Sequence, residues 1–267
     1  MADDVVLSES RGAVRLLTFN RPDRLNAWTG AIEQRYFTLL DEAEADPDVR
    51  VMVLTGAGKG FCAGADMDML QGIGDAGGIA SGEPRKHYPA YYATTLNKPV
   101  IAAINGACAG IGLVHAMMCD IRFAASGAKF TTAFARRGLI AEHGVSWVLP
   151  RLIGPAKAMD VLLSGRVFLA EEAAALGMVN RVVAPEALLD ETIAYANELA
   201  ANSSPSSMAV MKRQVWKALT QSISEATNEA DGLMRQSLRE ADFKEGVASF
   251  VEKRPPAFNP VQDWAKP

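Results

Sequence analysis

The chain has little of what builds metal centres or disulfide frameworks. Of its 267 residues, three are cysteine and three are histidine. Cys62, Cys108 and Cys119 are odd in number and lack metal-ligand spacing, which excludes a disulfide scaffold and a zinc ribbon. His87, His115 and His143 are too scattered to share an ion, so no metal is expected. There is no basic block: 27 Lys and Arg stand against 31 Asp and Glu, for a net charge of -4, which argues against a nucleic-acid partner. The start, MADDVV, lacks the basic-then-apolar pattern of a secretion signal, and a reduced, cytoplasmic setting is expected. Repeats, low-complexity tracts and flexible linkers are absent as well.

Charge is also missing from Pro99 to Cys119, a stretch about long enough to span a bilayer. Pro99, Asn105, three glycines and His115 lie inside it, and so many breakers at the centre point to a buried strand, turn and helix instead. No membrane partner is expected.

What is present is a 49% hydrophobic chain with mixed periodicity. Residues 13–19, 49–55, 100–104, 121–125 and 129–131 read as strands. Ile32, Tyr36, Leu39 and Leu40 recur at helical spacing, and 156–163, 170–176 and 186–201 read as helices, with strand-like 179–183 before the last. The glycine-rich stretch 71–90 reads as an irregular loop over a pocket. From about 206 the pattern is helical only, with Met208, Met211, Val215, Trp216 and Leu219 on one stripe. The chain therefore divides into an α/β core over 1–200 and a helical region over 201–267, which packs on the core or on another subunit.

Phosphate-loop readings fail on spacing. Gly56-Ala-Gly-Lys-Gly60 is followed by Phe61 where a Walker motif needs Ser or Thr, and neither this stretch nor Gly106 to Gly112 fits G-x-G-x-x-G. A different chemistry fits KPVIAAINGACAGIGLVHAMMCD, residues 98–120. The buried strand 100–104 is broken by Asn105-Gly106, and glycines 110 and 112 open a helix. The first turn of a helix carries unpaired N–H donors at the positive end of the macrodipole, so it holds an anion without a charged side chain. This is the expected half of an oxyanion hole, with FCAGAD (61–66) as its partner.

Five segments together resemble the crotonase, or enoyl-CoA hydratase/isomerase, superfamily: NRPDRLNAW (20–28), FCAGADM (61–67), KPVIAAINGACAGIG (98–112), MMCD (117–120) and FKEGVASFVEKRPPAF (243–258). They span the chain in the right order. The resemblance implies an α/β fold, a ββα spiral core followed by a C-terminal helical trimerisation region, assembled as a homotrimer or dimer of trimers. It implies an acyl-coenzyme A thioester as substrate, no permanently bound cofactor, and two backbone N–H donors for the thioester oxygen, carried over to Ala65 and Ile111. Coenzyme A contacts carry over to Arg24, to the backbone of Ala63, Gly64 and Asp66, and to Lys253 reaching from a neighbouring subunit. Enolates formed next to a thioester place their charge on oxygen, and one preorganised donor can supply about 3 kcal/mol, roughly a hundredfold or more in rate.

The chain departs from a hydratase at two positions. Where hydratases of the superfamily carry two glutamates, this sequence has Val114 and Phe134, which exchange no protons. Glu142, in RGLIAEHGVSW (137–147), matches the single carboxylate found in several isomerases of the superfamily, and one base suffices when it removes a proton from one carbon and returns it to another. A helix-capping role for Glu142 is the competing reading, since Gly144 follows closely. His143 either orients Glu142 or serves an interface, and His115 reads as a packed helix residue. Two rival functions stay open: hydration or hydrolysis through Glu142 and His143, and a catalytically silent acyl-CoA-binding paralogue.

Overall fold

Chain direction alternates between two sheets. The structure is a computed structural model that describes residues 5–76 and 88–266. β1 (Val6–Arg11) and β2 (Val14–Phe19) form an antiparallel hairpin, and α1 (Gly30–Ala45) follows, capped by Thr29, whose hydroxyl accepts from Ile32 N at 3.3 Å. Three strand–strand–helix units come next. They are β3 (Val51–Gly56), β4 (Gly60–Cys62) and α2 (Met67–Asp75); β5 (Val100–Ile104), β6 (Ala107–Ala109) and α3 (Ile111–Met118); and β7 (Ile121–Ala125), β8 (Lys129–Thr131) and α4 (Val145–Ile153). α5 (Pro155–Ser164), β9 (Phe168–Leu169), α6 (Ala170–Leu176), β10 (Arg181–Val183) and α7 (Leu188–Asn202) close this part.

The first strand of each unit joins a larger sheet ordered β1-β2-β3-β5-β7-β10, and the second joins a smaller one ordered β4-β6-β8-β9. All pairs are parallel except β1/β2 and β8/β9. This is the expected ββα spiral. β3 and β5 are buried at every position, as strands covered on both faces must be. α7 lies across β2, β3, β5 and β7, while β4 of the smaller sheet contacts β3 and β5.

Two asparagines hold the corners between the sheets. Asn26, fully buried, donates to Gly60 O at 2.7 Å and Ala57 O at 3.0 Å. Asn105 accepts from Gly56 N at 3.2 Å and donates to Gly58 O at 3.0 Å. Buried carbonyls left without such donors would cost about 1–3 kcal/mol each. Close approach explains one glycine: a Cβ on Gly112 would lie 2.3 Å from Cys62 O, so only glycine lets α3 sit against β4.

Several elements depart from the sequence reading, the short strands β4 and β9 among them. β1 is exposed at all but its first residue and carries no alternation that marks a strand. β6 is a three-residue strand inside the turn expected between Gly106 and Gly110. α2 spans 67–75 and so runs into the stretch 71–90 expected as an irregular loop, because the Asp66 carboxylate caps it by accepting from Asp68 N at 3.1 Å. α4 contains Pro150 and follows Gly144, and both mask its helical period. Gly77, Gly78, Gly82 and His87 lie outside the described residues.

After α7 come α8 (Pro205–Ala218), α9 (Ile223–Ser237) and α10 (Ala241–Glu252). α8 is pinned to the core by Lys212, whose buried ammonium donates to Ala93 O at 2.7 Å and Lys98 O at 3.0 Å and pairs with Asp120 at 2.8 Å. The stripe expected on α8 is only partly its buried face: Trp216 packs against the core, Met211, Val215 and Leu219 are exposed, and Ala209, Val210 and Lys212 point inward. Phe243, Val247, Phe250 and Val251 of α10 are exposed too. Among the described residues no helix is long and apolar enough to cross a membrane.

Candidate active site

β4 and β6 run side by side in parallel, with Cys62 opposite Cys108. Each ends in a glycine-bearing turn, and both turns leave from the same edge of the sheet, the C-terminal edge where parallel sheets bind ligands. A Cβ on Gly110 would lie 3.7 Å from Gly64 Cα, which sets the closeness of the two turns. Gly64 has φ +102°, in the region that favours glycine.

Ala65 sits beyond the first turn and forms an isolated bridge with Trp28. Trp28 N donates to Gly64 O at 2.7 Å, and Asp66 N donates to Trp28 O at 2.9 Å. The N–H of Ala65, between these two bonds, has no partner among the described residues. Ile111 is the first residue of α3, behind Gly110, so its N–H has no intrahelical acceptor, and none is found elsewhere among the described residues. The structure thus brings Ala65 and Ile111 together with both donors free, as an anion site requires.

Ala63 N is bound to Leu25 O at 3.0 Å. Asp66 is buried and accepts from Arg21 Nη1 at 2.9 Å, and that hydrogen bond holds its carboxyl below the usual range despite burial. Arg24 is exposed and pairs with Asp68 at 3.2 Å. Lys253 is exposed at the C-terminal end of α10, in the left-handed conformation with φ 55°. It lies in the same exposed apolar region as Phe250 and Val251.

Val114 and Phe134 are both buried. Glu142 lies in the turn before α4, where its carbonyl accepts from Val145 N at 3.0 Å. Its side chain is 35% exposed, and its Oε2 is 3.8 Å from His143 Nε2. His143 adopts φ 56° and Gly144 φ 82°, a reversal that turns the chain onto α3. A Cβ on Gly144 would lie 3.4 Å from the Cε of Met118, the last residue of α3. A cavity of about 680 Å³ opens beside this turn, lined by Leu96, Met118, Gly144, Trp147 and Trp216.

Burial pushes the Cys62 thiol up to about 12, which leaves it an inert packing group beside the site. His115 is buried, as the sequence reading has it, and burial pushes its pKa down to about 3, with a further contribution from His143. Sequence reasoning missed Arg21 and Trp28. Both stand in NRPDRLNAW, but their partners are about 40 residues away and nothing local announces them.

The family profile described as Enoyl-CoA hydratase/isomerase matches residues 9–261. The chain is 36% identical over 258 residues to the 1,2-epoxyphenylacetyl-CoA isomerase of Escherichia coli, covering 96% of this chain and 98% of that protein. It is also 36% identical over 258 residues to a probable enoyl-CoA hydratase of Rhizobium meliloti, covering 97% and 99%. Among solved structures, an enoyl-CoA hydratase from Mycobacterium marinum is 55% identical with a TM-score of 0.69, covering 80% of this chain and 97% of that one. A probable enoyl-CoA hydratase/isomerase from Mycobacterium abscessus is 30% identical with a TM-score of 0.87, covering 96% and 99%. With a profile across nearly the whole chain and relatives matched end to end, the chain belongs to the enoyl-CoA hydratase/isomerase family of enzymes.

Proposed function

We propose that this enzyme shifts a double bond in an unsaturated acyl-CoA, with Ala65 N–H and Ile111 N–H as the oxyanion hole and Glu142 as the single base. The observation that carries the reading is the pair of unpartnered donors at the ends of adjacent parallel strands, next to a helix whose glutamate position holds buried Val114. Glu142 takes a proton from the α carbon of a 3-enoyl thioester. The freed electron pair forms the 2,3 double bond as charge moves through the enolate, and the 3,4 pair accepts the proton at the γ carbon. No water is consumed, so a second glutamate is unnecessary. The likeness to proteins named as acyl-CoA isomerase and enoyl-CoA hydratase supports the thioester class.

Coenzyme A is part of the substrate and no cofactor is retained in this reading. Arg24, the backbone of Ala63 to Asp66, and Lys253 of a neighbouring subunit hold it. Exposed apolar residues on α8 and α10 support assembly of the 201–267 region as a trimer or dimer of trimers around the 1–200 cores. Three buried free thiols suit a reduced, cytoplasmic setting.

A second reading draws on the 3.8 Å approach of His143 to Glu142, a pair able to activate water for hydration or hydrolysis. Incubation with a 3-enoyl-CoA separates the readings. The proposal expects a 2-enoyl product, lost in Glu142→Gln. Hydration of crotonyl-CoA at a rate above isomerisation would favour the water-activating pair. Thioester binding without turnover in either protein would mark a silent paralogue.

A further inference from the structure

Both donor turns rest on short supports. β4 and β6 have three residues each, and their pairing is irregular between Gly60 and Cys62. The turns that follow carry Gly64 and Gly110, both at positive φ. Backbone of this kind is permissive, and something else must hold the two N–H groups at a fixed separation.

The main chain of Trp28 grips the residues on both sides of Ala65, through Gly64 O and Asp66 N. Its indole stacks on the imidazole of His115, with ring centres 4.3 Å apart and planes at 23°. His115 is four residues beyond Ile111, on the same face of α3. The stack therefore joins the segment holding one donor to the helix that begins with the other. Phe19 and Tyr36 meet Trp28 edge-on at 5.7 and 5.9 Å, and Tyr36 and Phe37 meet His115 at 5.4 and 6.0 Å. His115 is 2% exposed and its ring makes no hydrogen bond among the described residues, so stacking is what it contributes. Kept uncharged by burial, the imidazole serves as a flat partner through the neutral range.

We infer that the Trp28–His115 stack is a positioning strut that sets the distance between the Ala65 and Ile111 donors. The inference rests on the oxyanion reading proposed above. A donor acts fully only within hydrogen-bond reach of the developing charge, and displacement by about 1 Å can cost about a hundredfold in rate. His115 and Trp28 touch no substrate atom in this account and act through the two backbones.

The test compares His115→Leu, which fills volume without a ring, with His115→Phe, which restores one. Turnover of a 3-enoyl-CoA gives kcat and KM, and infrared difference spectra of bound butanoyl-CoA give the thioester carbonyl stretch. His115→Leu is expected to lower kcat about tenfold or more with KM within about threefold, and to return the carbonyl stretch toward its value in solution. His115→Phe is expected to recover both. If His115→Leu does not fold, His115→Met, flexible and of similar volume, carries the same readout. A variant that loses melting temperature while kcat and the carbonyl stretch match wild type overturns the strut. Failure of the oxyanion reading looks different: the wild-type carbonyl stretch would not shift on binding at all.

Discussion

Cys62 and Cys108 face each other across the β4/β6 pair, and each is followed three residues later by an unpartnered N–H, at Ala65 and Ile111. Equal offsets from paired residues on parallel neighbours place the two donors just beyond the same edge of the smaller sheet, on turns that approach closely at Gly64 and Gly110. Both thiols are buried with raised pKa values, so the cysteines serve as packing at the root of the site.

Ile111→Pro isolates the second donor. Position 111 opens α3, the helical position where proline fits because its N–H bonds nothing within the helix. The substitution should leave the fold intact and lower kcat by about a hundredfold to a thousandfold. Ile111→Gly keeps the N–H and should retain turnover. Steady-state kinetics alongside circular dichroism melts check both, and an active Ile111→Pro would remove Ile111 from the oxyanion hole.

His115 makes stability depend on pH. An imidazole in the unfolded chain titrates near 6.5, whereas buried His115 titrates near 3. As pH falls below 6.5 the unfolded chain takes up a proton that the folded one refuses, so the contribution is complete above about 6.5 and is lost progressively toward 3. Trp28, Tyr36 and Phe37 face the ring, Cys119 donates to the His115 carbonyl, and His143 adds positive charge when protonated. Urea titrations at pH 7 and pH 5 should show wild type losing about 2 kcal/mol more than His115→Phe over that interval, at about 1.4 kcal/mol per pH unit below 6.5. Parallel losses in the two proteins would mean that His115 already titrates normally.

Lys212→Met should detach α8. The substitution leaves Ala93 O, Lys98 O and one Asp120 oxygen without their buried cation. Breaking a buried pair by removing one partner costs about 3–5 kcal/mol. Chemical denaturation followed by tryptophan fluorescence reads the loss, because Trp216 on the same helix donates to Asp120 at 3.4 Å. A change under 1 kcal/mol would show that α8 is held by other contacts.

Phe250→Asp tests assembly. The residue is 85% exposed in the single chain, so an acidic replacement should not disturb folding. Light scattering after gel filtration should show wild type at three or six chain masses and the variant at a lower order. A wild type running at one chain mass would refute the assembled form.

Local pattern was enough for much of this molecule. Apolar runs at 100–104 and 121–125 become β5 and β7 because period and burial are encoded within a few residues, and Gly110 opens α3 because a tight turn needs it. The motif series from Asn20 to Phe258 carries the family for the same reason, each segment being short and contiguous. Elements lacking a local signature were hidden: β1 is polar, β6 is three residues long, and α4 carries Pro150.

The sequence by itself determined the ββα spiral, the family and the two donor-bearing turns. Only the tertiary structure decided that Trp28 lies against His115, that Arg21 rather than Arg24 braces Asp66, that Gly144 approaches Met118 of α3, and that Met211, Val215 and Leu219 of α8 face outward. Each of these depends on contacts between residues far apart in the chain, or on which face of a helix the core leaves uncovered. Neither is written in the spacing of neighbouring side chains.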